Sequence, residues 1–278
     1  MPVIPSEVEE PLDNFEPARD VSPSLDMTTR LFAALHVYHD ISPHSAAMNM
    51  AIDEALLEHA TVPSIRFYQW HSPALSFGYF GKLGDVARYA SERDLVRRWT
   101  GGGIVFHGDD LTYSIVIPGN HPAFVESSRS IYEKVHSALC EALNGIGRGA
   151  KLSASAALYE RPKSRKGDLQ IAPAVENRRS LDSTVVDRHY NDCFANPVRA
   201  DVVIDDRKIA GAAQRRTHRG LLQQGSIQGI ELENGLAERF AQALSANCSE
   251  RKPDDEILRR ARELAELKYA THAWLRKR

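Results

Sequence analysis

Cysteine is scarce in this chain. It has three in 278 residues, an odd number with no metal-like spacing, which argues against a disulfide framework and for free thiols in a reducing compartment. No apolar run approaches the roughly 18 residues that a membrane span needs. The N-terminus has no basic start followed by an apolar core, so a secretory leader is not expected and a cytoplasmic location is. Positive charge is not in excess either: 35 basic against 37 acidic residues leave a formal charge of −2, which speaks against nucleic-acid binding as the main task. There is no internal repeat. No glycine run is followed by Gly-Lys-Ser/Thr, and there is no spaced Gly-x-Gly-x-x-Gly, so neither nucleotide-binding fingerprint is present.

What is present begins with core-forming residues. Hydrophobic residues make up 42% of the chain and charged residues 26%, the balance of a soluble protein with a sizeable core. Residues 1–28 are rich in Pro, Glu and Asp and read as a disordered or loosely attached tail. Residues 29–278 read as one catalytic-type domain with a core at about 60–247. Strands are expected at Leu31–Asp40, Ile65–Trp70, Ala74–Tyr79, Leu111–Pro118 and Leu221–Ile230. A hairpin is expected between Asp201–Ile204 and Lys208–Gln214, turning through Asp205-Asp206-Arg207. Helices are expected at Ser45–His59, capped by Ser45, and at Ser128–Leu143, with Ile131, Val135, Leu139 and Leu143 on one stripe and Cys140 as a structural neighbour. From Leu236 onward the chain reads as helical, with a break at Pro253. Residues 160–190 read as an insertion or mobile loop. His36, His39 and His44 lie close together but meet no metal-ligand pattern. Short strands mixed with helices, without strict alternation, indicate an α+β domain.

Two stretches carry chemistry. In Arg97-Arg98-Trp99-Thr100-Gly101-Gly102-Gly103-Ile104-Val105-Phe106-His107, three glycines interrupt strand-like sequence. Such glycines weaken a sheet, and the usual offset is close approach of a ligand or of another backbone. The second stretch holds Cys193 and, fifteen positions on, Lys208 in Lys208-Ile209-Ala210-Gly211-Ala212-Ala213-Gln214. A thiol attacks as its thiolate, and a nearby ammonium lowers the thiol pKa. The small residues Gly211, Ala212 and Ala213 leave room for a substrate against the strand. By spacing alone the pair is a weak signal, and a buried Cys with a surface Lys is the commoner account of it.

These residues resemble a known family. Arg-Arg-x-Thr-Gly-Gly-Gly-x-Val-x-His with Leu-Thr-Tyr-Ser behind it is similar to the signature of lipoate–protein ligases and octanoyltransferases. Cys193-Phe194 with Pro197, then Lys208, Gly211, Ala213, Gln214 and Gly225-Ser226-Ile227, resembles the octanoyltransferase branch that uses a cysteine. The resemblance implies a mixed sheet with flanking helices in the biotin/lipoate protein ligase catalytic-domain fold, which is class II aminoacyl-tRNA synthetase-like. It implies transfer of an octanoyl group from acyl carrier protein, through a Cys193 thioester, to a lysine of a lipoyl domain or glycine-cleavage H protein. Lys208 would lower the thiol pKa and contact the acyl carbonyl. Arg97, Arg98, Gly101, Gly102, Gly103, Ile104, His107, Gly211, Ala212 and Ala213 would bind substrate. No cofactor, metal, nucleic acid or membrane is implied.

Two positions depart from the family pattern. Ile104 stands where the family usually has Ala, and would reshape an acyl tunnel. Asp206 stands where the hairpin usually has glycine. The competing readings are an ATP- and Mg-dependent lipoate–protein ligase acting through lipoyl-AMP, and a noncatalytic binder of lipoyl or acyl-carrier domains. Ligases often carry an accessory domain, and only 48 residues follow Ile230. The basic run Arg215, Arg216, His218 and Arg219 is expected to steer acidic carrier domains.

Overall fold

A computed structural model describes residues 30–154, 194, 197–230 and 235–277. The expected tail at 1–28, the expected insertion at 160–190 and Cys193 lie outside the described residues. No helix among them is long and apolar enough to cross a membrane.

The chain opens with strand β1 (Leu35–His44) and helix α1 (Ala46–His59), started by Ser45, whose hydroxyl accepts from Met48 N. Strands β2 (Ser64–Trp70) and β3 (Ala74–Phe77) follow, then the short helix α2 (Leu83–Val86). Next come β4 (Asp94–Arg97), β5 (Ile104–His107) and β6 (Leu111–Pro118). Helix α3 (Ser128–Asn144), capped by Ser127, leads to β7 (Lys151–Leu152). The second half holds β8 (Val202–Ile204), β9 (Arg207–Thr217), β10 (Gly220–Ile227), α4 (Leu236–Leu244), β11 (Cys248–Arg251), α5 (Asp255–Leu264), a π-helical turn (Ala265–Tyr269) and α6 (His272–Leu275).

Eight strands form one mixed sheet in the order β11-β1-β2-β6-β10-β9-β8-β7, and β4-β3-β5 form a second. β11, β1 and β2 run parallel, and the pairs from β2–β6 to β7–β8 are antiparallel. The large sheet separates two apolar layers. On one face Tyr113, Ile115 and Ile117 pack with Ile131, Val135 and Leu139 of α3 and Phe240 of α4. On the other face Val116 and Leu222 pack with α1, α5 and the C-terminal Trp274. The domain is α+β with a mixed sheet and flanking helices, as the sequence predicts.

The differences are local. The stretch after Leu236 is not wholly helical: β11 interrupts it, pairing with β1 from Leu35↔Cys248 to Tyr38↔Arg251. Its residues, Cys-Ser-Glu-Arg, carry no apolar alternation because an edge strand is buried on neither face. The sheet therefore extends beyond the 60–247 core. Helix α1 is not amphipathic but buried on nearly every side, Asn49, Asp53 and Glu54 included, because α5 covers the face that the sheet leaves open. The Asp205-Asp206 turn does adopt positive φ at both residues, 49° and 58°, the type I′ geometry that matches strand twist.

Candidate active site

A narrow cleft of about 470 Å3, counting its open mouth, lies between the two sheets. Trp70, Thr112, Lys208, Gly211, Ala212, Ala213 and Gly225 line it from the large sheet and Ser76, Val105 and His107 from the small one, with Phe194 beside Lys208. Met50 and Gln224 are also among the lining residues.

Lys208 is a buried cation of this cleft. Its Nζ lies 2.7 Å from Asp201 Oδ2, with 6% and 0% of the two side chains exposed. Asp201 Oδ2 also accepts from Val198 N at 2.7 Å, and Oδ1 accepts from Tyr132. Burial and Asp201 both raise Tyr132 above its ordinary pKa, so the phenol stays a donor. Gly211 makes the arrangement possible. A Cβ there would sit 2.5 Å from Lys208 Cε and 2.6 Å from Nζ, so the lysine stem crosses the strand where the side chain is missing. The aromatic ring of Phe194, the residue after Cys193, has its centre 5.3 Å from Lys208 Nζ. Lys208 is thus half of a buried ion pair rather than a lone cation. Its field on a nearby thiol is weakened, but an ammonium has three donors, and Asp201 engages one.

On the small-sheet side runs a hydrogen-bonded chain. Arg98 Nη1 donates to Ser76 Oγ at 2.6 Å, Ser76 Oγ lies 2.7 Å from His107 Nε2, and His107 Nδ1 lies 2.8 Å from Asp110 Oδ2. Burial would raise the Asp110 carboxyl, but His107 and the hydroxyls of Ser226 and Thr112 outweigh it and hold the pKa below its ordinary value. Burial lowers that of His107. With Asp110 ionised and His107 neutral, Nδ1 carries the proton and Nε2 accepts from Ser76. The imidazole stacks on Trp70 with centroids 4.0 Å apart. His107 therefore does more than cap a strand.

The two arginines of the signature part company, because successive strand residues face opposite sides. Arg97 does not line the cleft. Its guanidinium donates to the carbonyls of Trp274, Tyr79, Gly81 and Leu275 at 2.7–2.9 Å, tying β4 to the C-terminal helix. Arg98 does line it, but also donates to the carbonyls of Gly101 and Gly103 and so holds the glycine loop. The same alternation sends Val105 into the cleft and Ile104 into a cluster with Leu75, Phe77 and Val86. Ile104 does not reshape the slot, and Gly101, Gly102 and Gly103 do not line it. The close approach that the glycines permit is of another backbone: a Cβ on Gly78 would fall 2.0 Å from Gly102 O, and Gly102 itself has φ 85°.

Beneath the cleft lies a polar network that sequence reading missed. Asp53 accepts from Arg66, Ser114, Tyr68 and Gln224, and Gln224 in turn accepts from Thr100 at 2.8 Å. The signal was in β6. Its Thr112 and Ser114 alternate with apolar residues as a solvated face would, yet both are buried, because this face meets α1 and the site. The basic run on β9 also divides: Arg215 lies against Tyr79 and Trp99, while Arg216 lies over Phe124 and bonds the Phe124 and Glu126 carbonyls. Among the described residues no group of three or more His, Cys, Asp or Glu is arranged to hold a metal.

The architecture is that of lipoate-protein ligase catalytic domains. A lipoate-protein ligase A bound with ATP superposes with TM-score 0.59 at 19% identity, over 87% of this chain and 98% of that one. A bi-partite lipoate protein ligase from Thermoplasma acidophilum gives TM-score 0.56 at 20% identity, over 88% and 96%. The family model of the lipoyl protein ligase A/B catalytic domain matches residues 45–268, and the chain belongs to that family. Similar curated proteins include the octanoyltransferase LipM of Macrococcus caseolyticus, 36% identical over 194 residues, which are 66% of this chain and 63% of that protein. That of Oceanobacillus iheyensis is 37% identical over 67% and 61%. The chain thus spans under two thirds of the length of these two relatives.

Proposed function

We propose that this chain is an acyltransferase that carries an octanoyl group from octanoyl–acyl carrier protein to a lysine of a lipoyl domain or glycine-cleavage H protein, in the cytoplasm. The observation that carries the reading is the cleft itself: an apolar slot with the Lys208–Asp201 pair on its large-sheet side and Phe194, the neighbour of Cys193, beside Lys208. The relatives that bear the octanoyltransferase name support it.

The Cys193 thiolate attacks the carbonyl carbon of the donor thioester. The new C–S bond forms, the bond to the carrier sulfur breaks, and the carrier thiol leaves with a proton. The acceptor amine then attacks the acyl-Cys193, forming the amide and releasing the Cys193 thiol. Thioester exchange is nearly thermoneutral and aminolysis runs downhill, so no ATP and no cofactor enter. Lys208 donates a hydrogen bond to the carbonyl oxygen as charge develops on it, and Asp201 holds that ammonium in place. Burying the acyl chain in the slot contributes about 0.8 kcal/mol per CH2.

Octanoyl–acyl carrier protein should add one octanoyl mass to the full chain, removable by hydroxylamine and absent from Cys193→Ser. A lipoyl domain should then become acylated without ATP. If acylation instead requires ATP and free lipoate, and Cys193→Ala keeps full activity, the chain is a ligase and this reading fails.

A further inference from the structure

The signature arginines are engaged within the protein, Arg97 by backbone carbonyls and Arg98 by the Ser76 hydroxyl and the carbonyls of Gly101 and Gly103, so an anionic group on a substrate is better met elsewhere. Four residues beyond Gly211 on β9, the Arg215 guanidinium carbon lies 5.2 Å from the ring centres of both Tyr79 and Trp99. Aromatic faces hold a cation in place without neutralising it. Arg215 Nε is shielded from solvent and meets no acceptor among the described residues, an uncommon state for a buried donor. Lys277 Nζ lies 5.2 Å from the Tyr79 ring centre and 4.9 Å from that of Trp274, and Lys268 Nζ lies 4.5 Å from those of Trp99 and Trp274. A hydrogen bond with Lys277, joined by the charges of Arg215 and Lys268, lowers the Tyr79 pKa. Three cations thus converge on one partly exposed phenol. Carboxylates face them too: Glu54 pairs with Lys268 and also accepts from Tyr269, and Glu58 acts on Lys268 from farther off.

This cluster continues the slot. Ala213, two residues before Arg215 and on the same side of β9, lines the slot, and Glu54 lies one turn beyond the lining residue Met50. From Gly211, where Lys208 crosses the strand, to Arg215 the strand covers roughly 14 Å. We propose that the cluster of Tyr79, Trp99, Arg215 and Lys277 holds a phosphate carried by the acyl donor, at the end of its arm remote from the thioester. This rests on the transfer reading above. Phosphate on a pantetheine arm and phosphate on a nucleotide present the same oxygens. The distance favours the arm: an acyl-adenylate phosphate is bonded directly to the acyl carboxyl and would have to sit at Lys208. An arginine fork matches two phosphate oxygens, and lysine adds a point charge.

The test measures binding of 4′-phosphopantetheine and of pantetheine to the full chain by calorimetry. The phosphorylated arm should bind about tenfold to a hundredfold more tightly, the range of charge-assisted hydrogen bonds. Arg215→Gln with Lys277→Gln should erase that difference. Lys277→Gln alone, on an exposed side chain, should reduce it and guards against misfolding of the double variant. Equal affinities in the native chain, or a difference that survives both variants, overturns the proposal. So does ATP binding that is lost in the double variant in step with phosphopantetheine, which would give the site to a nucleotide. The two readings fail separately. Octanoyl-phosphopantetheine that acylates the chain no better than octanoyl-pantetheine removes the phosphate site and leaves transfer standing. Phosphate-dependent binding with no acylation removes transfer, and with it the acyl donor as the source of the phosphate.

Discussion

Lys208 illustrates how a residue's surroundings set its chemistry. Paired with Asp201, it would pull less on a thiol than an isolated ammonium would, and in the proposed transfer its main contribution is a hydrogen bond to the acyl oxygen. Deleting Lys208 would strand a buried carboxylate and confuse activity with folding. Gly211→Ala is the cleaner change. The atoms nearest the added Cβ are at the far end of the lysine, Cε at 2.5 Å and Nζ at 2.6 Å, with Asp201 Oδ1 at 3.2 Å. The stem can swing aside, but the ammonium then leaves its position. Acyl-enzyme formation should slow by about a hundredfold to a thousandfold, as when one oxyanion donor is removed, while urea denaturation should show about 1–3 kcal/mol lost, as overpacking beside a buried pair costs. Single-turnover mass spectrometry measures the first, and an unchanged rate would deny the ammonium its role. Lys208 and Gly211 were legible in the sequence as a motif. Asp201 and Tyr132 were not, because Tyr132 comes from α3, far away in the chain, and no local pattern marks an Asp as a counter-ion.

At the scale of elements, the triple glycine is a packing device. The loop lies on Gly78, and Arg98 clamps its carbonyls. Gly78→Ala would drive a Cβ against backbone, 2.0 Å from Gly102 O and 2.6 Å from Gly101 O, and backbone cannot rotate away. It should cost about 1–3 kcal/mol as overpacking does, read by urea denaturation. Gly101→Ala, with nothing within 4 Å of its Cβ, should cost less than half of that, and equal losses would sink this account. The helix start at Ser45, the helix stripe of α3 and the Asp205-Asp206 hairpin were readable because each is decided by neighbours in sequence. β11 was not, since a polar edge strand is defined by its partner β1 rather than by its own residues.

For the whole molecule, buried histidines tie stability to pH. His136 is fully buried, linked to Ala200 O and Tyr113, and burial lowers its pKa to about 4. The unfolded chain takes up this proton near pH 6.5, the folded chain only near pH 4, so stability falls as pH falls through that window. The full effect is about 3 kcal/mol. His107, lowered by burial, adds in the same direction. Asp110, whose pKa is held down, loses its contribution only at more acid pH, below the ordinary carboxylate value. Urea denaturation between pH 7 and 4 should show the slope, and His136→Gln should make it shallower. A slope unchanged in that variant would assign the acid sensitivity elsewhere.

By itself, the sequence determined the α+β class, the family signature, the capped helices and the residue types at the site, because these depend on short-range propensity and on chemistry carried by a few neighbouring side chains. The tertiary structure decided which of two adjacent arginines faces the cleft, that Lys208 meets a carboxylate, that helix α1 is buried on nearly every side, and that Arg215, Lys268 and Lys277 converge. Each of these is settled by the side of a strand or helix that a distant element covers, and that contact has no local trace.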